Sequence, residues 1–354
     1  MDSGQDVFIM GVDMVARLAL GFLAVLLSTS IGAAQPVADF YRGKTIQLLI
    51  GFTAGGNYDL SSRTLARYIG RHIPGNPNVV PQNMAGAGSL RLANVLYNVA
   101  PKDGTTFGMV GRGISMEPLL GTDAAKFDSR RFTWIGSVSN ETSVCVAWRT
   151  SKIKSWNDML SMPFTVGGQG PGSDDDMFTN MLRNLFSAKA RLVAGYPGGN
   201  QINLAMERGE IDARCGWSWG AIKTTRFNWV TNKEINLLLQ IALQKAKDLP
   251  DVPLVMDYVK TDRARQILQV ILSRQQMAWP FTAPPDLPKD RAAALRAAFD
   301  ATMRDPEYLA EAKKRGLEVN PMGGAAIDKL IAGLYATQPD VMAAAKAAMM
   351  DSGK

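Results

Sequence analysis

Histidine is nearly absent from this 354-residue chain, where His72 stands alone. Cysteine is almost as scarce: Cys145 and Cys215 are the only two, with no Cys-x-x-Cys spacing. One imidazole and two isolated thiols do not make the ligand set that a zinc site needs, so no metal is expected. A Gly-x-Ser-x-Gly turn is missing as well, and neither cysteine has a histidine to activate it other than His72, at the end of an arginine-rich helix. Nucleophilic acyl transfer therefore has little to build on. His72 reads more simply as a partner of that helix C-terminus than as a catalytic base. Aromatics make up 8% and are not interleaved with Lys and Arg, which argues against nucleic acid. The expectation is a protein that binds a small molecule, with no catalytic residue and no cofactor.

What is present is ordinary globular composition: 46% hydrophobic and 20% charged residues, in a chain long enough for two domains. The formal charge is +7, yet residues 1–34 carry Asp2, Asp6, Asp13 and Arg17, so the positive excess lies wholly beyond them. No dense basic run appears, and scattered solubilising Lys and Arg are the simple reading. Arg17 precedes an apolar run from Leu18 to Leu27, followed by small residues at Gly32 and Ala34. That is a signal peptide over residues 1–34, cut before Gln35, because ten apolar residues are too few to span a bilayer. The acidic leader fits this pattern poorly, and Met10 or Met14 is an alternative start. The mature protein is then exported, periplasmic and soluble. In that compartment Cys145 and Cys215 are either a disulfide pair or two buried thiols.

Beyond Gln35, short apolar runs alternate with amphipathic segments, the pattern of βα units. Strands are expected over residues 45–52, 79–83 and 105–110, with helices over 59–72 and 89–100 between them. A second series has strands over 144–148, 164–167, 211–215 and 235–243 and helices over 156–162, 174–185 and 200–208. The expected architecture is α/β with two lobes, each a mostly parallel sheet flanked by helices. Residues 35–139 and 242–354 form the first lobe, and residues 140–241 are inserted as the second. A ligand cleft then lies between the lobes, at the carboxyl ends of the strands.

Three glycine-bearing turns precede helices. Gly51-x-x-x-x-Gly56 has the glycine spacing of a phosphate-binding loop, but Asn57-Tyr58 stands where Lys-Ser/Thr is required, so nucleotide hydrolysis lacks its machinery. Such a loop still aims backbone N–H groups and a helix dipole at an anion. Asp59 reads mainly as a cap of its helix. The second turn, residues 167–173, runs straight into Asp174, Asp175 and Asp176. Capping is again the simple reading of these acids, and acceptance from a ligand hydroxyl or amine is the alternative. The third is Tyr196-Pro197-Gly198-Gly199-Asn200, with Trp217 and Trp219 further on as ring surfaces for a ligand or as core.

Taken in order, these motifs resemble the extracytoplasmic substrate-binding receptors of tripartite tricarboxylate transporters. The likeness rests on Tyr41-x-Gly43-Lys44, Gly55-Gly56-x-x-Asp59 with Arg63, Asn83-Met84-Ala85-Gly86-Ala87-Gly88, Ala100-Pro101-x-Asp103-Gly104-x-Thr106, Tyr196-x-Gly198, Gly209-x-x-Asp212, Leu249-Pro250-Asp251-Val252-Pro253 and Pro284-x-x-Leu287-Pro288. The resemblance implies a type II periplasmic-binding-protein-like fold that closes on a small organic acid and delivers it, as a monomer, to membrane permease subunits. It implies binding through Thr53, Gly55, Gly56 and Asp59 on one lobe, and Gly170, Gly172, Ser173, Tyr196, Gly198 and Asp212 on the other; Trp217 joins this set from the reading of its ring alone. A ligand-presenting sensory protein and an exported enzyme on the same scaffold are the alternatives. Ser173-Asp174-Asp175-Asp176 departs from the usual Ser-x-x-His of such receptors, and Trp217 and Trp219 replace small residues. Both departures point away from a tricarboxylate and toward a monocarboxylate or a larger, partly apolar acid.

Overall fold

The computed structural model describes residues 34–170 and 173–351. The expected signal segment lies outside the described residues except for Ala34, and so does Gly172. Strands β1 (Thr45–Ile50), β2 (Asn78–Asn83), β3 (Thr106–Met109) and β4 (Thr133–Ser137) come first in the chain. Next are β5 (Ser143–Trp148), β6 (Phe164–Gly167), β7 (Ala190–Val193), β8 (Ala213–Ser218) and β9 (Ile235–Ile241), then β10 (Pro280–Ala283) and β11 (Met322–Gly323). They form two sheets, ordered β11-β4-β10-β3-β1-β2 and β7-β6-β8-β5-β9. All of the second sheet is inserted between β4 and β10 of the first.

Each sheet is mixed, where mostly parallel sheets were expected. β1 runs parallel to β2 and β3, but β10 is antiparallel to β3 and β4, and β11 to β4. In the second sheet β6 is parallel to β7 and β8, while β5 is antiparallel to β8 and β9. Only short βαβ units force parallel pairing. Strands that enter a sheet directly from the other lobe arrive without a crossover helix and pair the opposite way.

Layering follows from the burial pattern. β1 lies between β3 and β2 in its sheet, and Leu48 and Leu49 point to opposite faces, each into its own buried cluster. A run apolar on both faces is what a strand covered on both sides requires. Helices Asn57–Ile69 and Lys289–Thr302 cover one face of the first sheet through Leu65, Ile69, Leu295 and Phe299. Leu90–Asn98 and Gly324–Tyr335 cover the other through Leu92, Leu96, Ile327 and Ile331. On the second sheet, Gly199–Glu207 and Trp219–Thr225 cover one face through Ile202, Met206 and Ile222. Asp174–Phe186 covers the opposite face through Phe178 and Met181, joined there by Asp262–Leu272 and Pro339–Met349.

Part of the chain beyond β9 packs on the second sheet. Residues 242–354 were assigned as a block to the first lobe, yet Ile267, Leu268, Ile271, Val341, Ala345 and Ala348 share the buried cluster of Phe164, Val166 and Phe178. Helix periodicity fixes which face of an amphipathic segment is buried and leaves open which sheet receives it. Cys145 and Cys215, the pair left undecided by sequence, face each other in register across β5 and β8 and form a disulfide.

Candidate ligand-binding cleft

A cavity of about 1020 Å³ lies between the two sheets, at the carboxyl ends of β1, β3 and β6, where open α/β sheets bind ligands. From the first sheet it receives Phe52, Asn57, Tyr58, Ala87, Gly88 and residues 111–114. From the second it receives Gln169, Gly170, Ser173, Asp174, Asp175, Gly199, Asn200 and the β8 residues Arg214, Gly216, Trp217 and Ser218. Glu141, Arg274 and Trp279 enter from segments that pass between the sheets.

Two helices begin at this cavity from opposite sides. Asn57–Ile69 is N-capped by Gly56, and Gly199–Glu207 by Gly198, with no side-chain cap bond to either among the described residues. Their first residues line the cavity, so two positive dipole ends point into it. One wall is aromatic: Phe52 stacks on Tyr58 at 3.8 Å, and Trp279 meets Tyr58 edge-on at 4.6 Å. Across the cleft stands Trp217, its ring 4.9 Å from the Arg214 guanidinium. The turn at 86–89 is held in the left-handed region even at Ala87 (φ 45°) and Ser89 (φ 75°). Ser89 Oγ accepts the Gly111 N–H at 2.6 Å, which fixes this strained turn against the loop after β3.

Of the residues singled out from sequence, Gly170, Ser173 and Trp217 line the cavity. Thr53, Gly55 and Gly56 fall between lining residues and are not part of the wall. Tyr196 and Gly198 likewise precede the lining pair Gly199 and Asn200. Gly55 and Asp59 border a different groove, with Arg63 and Arg67. Asp212 is off the cleft: its carboxylate accepts from the Thr165 N–H at 2.9 Å, the Thr165 hydroxyl at 3.0 Å and the Ser151 hydroxyl at 3.1 Å. It ties the start of β8 to β6. Trp219 also turns away, donating its indole N–H to Asp248 at 2.9 Å.

The amides read as ligand donors are partly taken. Gly55 donates its N–H to Asp59 Oδ2 at 3.0 Å, while Asp59 Oδ1 accepts from Arg63 and Asn83, each at 2.8 Å. Burial pushes the Asp59 carboxyl up, but the Gly55, Asn83 and Arg63 donors outweigh it and hold it below the usual carboxylate range. Gly170 donates to Asp176 Oδ1 at 3.0 Å, which also accepts from the Ser173 hydroxyl at 2.8 Å. In both lobes an acid from the next helix closes the glycine loop on itself.

What the sequence reading missed is a set of arginines. Arg214 is fixed by Asp175 at 2.9 Å and by Asn203 at 3.0 Å. Arg112 bonds Glu141 at 3.2 Å and also pairs with Asp174. Arg274 lies 3.1 Å from the other Asp174 oxygen. Burial, helped by repulsion from Arg112, pulls Arg274 down to about 10. Burial raises Glu141 above its ordinary range, against the attraction of Arg112. Local signals existed. Arg112 sits between two glycines just after a strand, and Arg214 interrupts an apolar strand. Gly216 (φ 102°) is required where β8 meets the acids, since a Cβ there would lie 2.7 Å from the Asp174 backbone.

The fold is that of two-lobed solute-binding proteins. A ligand-free TctC solute-binding protein from Polaromonas has the same fold, with a TM-score of 0.66 and 17% identity over 86% of this chain and 99% of its own. The periplasmic binding protein BugD matches with a TM-score of 0.64 and 19% identity, over 86% and 98%. Rpa4515 of R. palustris, solved with adipate, gives 0.64 and 17%, over 86% and 97%. Among curated sequences, a UPF0065 protein of Cupriavidus necator is 34% identical over 104 residues, and BugT of Bordetella pertussis is 40% identical over 72. Those segments cover 29% and 20% of this chain, and the chain spans only 31% and 21% of the length of these two relatives. No protein-family model matches. The chain is similar to the TctC and Bug solute-binding proteins, in keeping with the transporter-receptor resemblance of its motifs.

Proposed function

We propose that this protein captures a small organic acid between its two sheets in the periplasm and, once closed, hands it to a membrane transporter of the tripartite tricarboxylate type. The observation that carries this reading is the cavity of about 1020 Å³ into which two glycine-capped helices point from opposite lobes. Opposed dipole ends favour a carboxylate, and the Phe52, Tyr58, Trp279 and Trp217 rings suit its apolar remainder. Rpa4515, which shares the fold, is solved with an organic acid, adipate. The site's acids and arginines are paired with one another rather than arranged as base and nucleophile, which favours binding without turnover. Delivery follows from population shift: the ligand bridges both lobes, so it stabilises the closed form that the membrane partner reads.

Isothermal titration of the purified protein with aliphatic and aromatic acids tests this. Saturable one-to-one binding of at least one acid is expected, with a smaller radius of gyration in solution scattering when it is bound. Deleting the gene should abolish uptake of the same acid. Absence of binding across the panel, or conversion of the bound acid to product, overturns the reading.

A further inference from the structure

The cavity contains one seat built for an anion, and a side chain of the protein fills it. Arg112, from the loop after β3, and Arg274, from the turn before β10, converge from different segments on a single carboxylate, that of Asp174. Asp174 belongs to the first turn of a helix on the second sheet, so the contact with Arg112 spans the cleft. All three groups are well buried, with side-chain exposures of 13%, 9% and 10%. The seat is not saturated: among the described residues, the buried Arg274 Nε has no hydrogen-bond partner, and Asp174 Oδ1, 3.1 Å from the Arg274 guanidinium, accepts no well-formed hydrogen bond. The neighbouring acid does different work. Asp175 is held by Arg214 at 2.9 Å and by Gln169 at 2.6 Å.

We propose that Asp174 is the residue that sets the ligand class: it occupies the Arg112–Arg274 seat as a tethered carboxylate, leaving room in the cleft for only one carboxylate from the ligand. The inference rests on the acid-binding reading above and narrows it to monocarboxylates. Charge supports it. The cavity arginines Arg112, Arg214 and Arg274 are each paired with an acid among Asp174, Asp175 and Glu141, so a second ligand carboxylate finds no unpaired guanidinium. It would lose its water without gaining a counter-charge. The first carboxylate still has the two helix N-termini. Removing the Asp174 charge uncovers two guanidiniums that repel each other and attract any anion.

The test compares the protein with Asp174→Asn and Asp174→Ala against acids of matched length, hexanoate with adipate and butyrate with succinate. The unaltered protein is expected to prefer the monocarboxylate of each pair at least tenfold. Both variants are expected to reverse that order, with diacid affinity rising tenfold or more and falling steeply with added salt. Thermal unfolding in sulfate supplies a readout that needs no cognate ligand. At matched ionic strength, millimolar sulfate should raise the midpoint of either variant by several degrees over chloride and leave the unaltered protein unmoved. If the protein binds an acid but the mono-to-diacid ratio does not change on substitution, this inference fails and acid binding survives. If sulfate protects the variants but no acid binds any form, the anion seat stands and the acid-binding reading fails. No sulfate effect in two folded variants overturns the seat itself.

Discussion

At the residue scale, Asp59 shows how a motif residue is recruited by the fold. Three donors converge on it: the Gly55 N–H, Arg63, and the Asn83 amide, which also reaches the Phe52 carbonyl at 2.9 Å. Only an ionised carboxylate with both oxygens free can accept from a loop amide and a guanidinium together. Asp59→Ala is therefore expected to cost about 2 kcal/mol, the range for hydrogen bonds to a buried charge, in urea unfolding at pH 7. A loss under about 0.5 kcal/mol, typical of an unremarkable surface change, would contradict this role. The substituted loop should also exchange its Gly55 amide faster than neighbouring amides of the Asn57–Ile69 helix. The spacing Gly55-Gly56-x-x-Asp59 disclosed the loop, but not that the acid would bond the very amide expected to hold the ligand. That choice depends on where Asn83 arrives from β2, a contact 24 residues away. Arg112, Arg214 and Arg274 escaped notice for the same reason, because nothing local says that three distant segments meet.

At the element scale, Asp305 fastens two helices to each other. It N-caps Pro306–Lys314, accepting from the Glu307 N–H at 2.9 Å and the Tyr308 N–H at 3.4 Å. The same carboxylate receives Arg71 Nε at 2.9 Å and lies 2.7 Å from His72 Nε2, at the end of the Asn57–Ile69 helix. His72 thus pairs with an acid of another helix rather than with its own helix end. Arg71, foremost, then His72 and the two cap amides hold the Asp305 carboxyl well below the usual carboxylate range, although burial opposes them. Because the folded value is depressed, the stabilisation is complete above the unfolded value of about 4 and is lost as pH falls below it. Asp305→Ala should cost about 1–2 kcal/mol at pH 7 from the lost cap. The gap between the two proteins should close as the solution is acidified toward pH 2, read from thermal midpoints at each pH. A gap that stays constant with pH would show that the charge of Asp305 contributes nothing. Elements of this kind were legible: strands 45–52 and 164–167 and helix 174–185 match β1, β6 and Asp174–Phe186 closely, because continuous apolar runs and 3.6-residue periodicity are local properties. Strand direction was not legible, since it depends on how the chain re-enters a sheet after leaving it.

At the scale of the whole molecule, the last helix packs on the second sheet, although it lies in the segment expected in the first lobe. Pro339–Met349 buries Val341, Met342, Ala345, Ala348 and Met349 against Asp174–Phe186 and Asp262–Leu272. Asn180 and Asn184 donate to the Met349 and Ala348 carbonyls at 3.2 and 3.0 Å. The chain therefore crosses between lobes again after β11, and the second lobe is complete only when its far end has returned. Ending the chain after Thr337 uncovers Val341's, Met342's and Met349's former contacts, worth about 1.5–3 kcal/mol for each large side chain. Hydrogen exchange localises the damage. Amides of Asp174–Phe186 and Asp262–Leu272 should lose protection by tenfold or more, with those of β1 and β3 changing far less. Exposure centred on β1 to β4 instead would return residues 242–354 to the first lobe. Because the loosened helix begins at Asp174, acid affinity should fall in the truncated protein even though no cavity-lining residue has been removed. Packing at the far end of the 13-residue Asp174–Phe186 helix thus bears on how firmly Asp174 is held at its start.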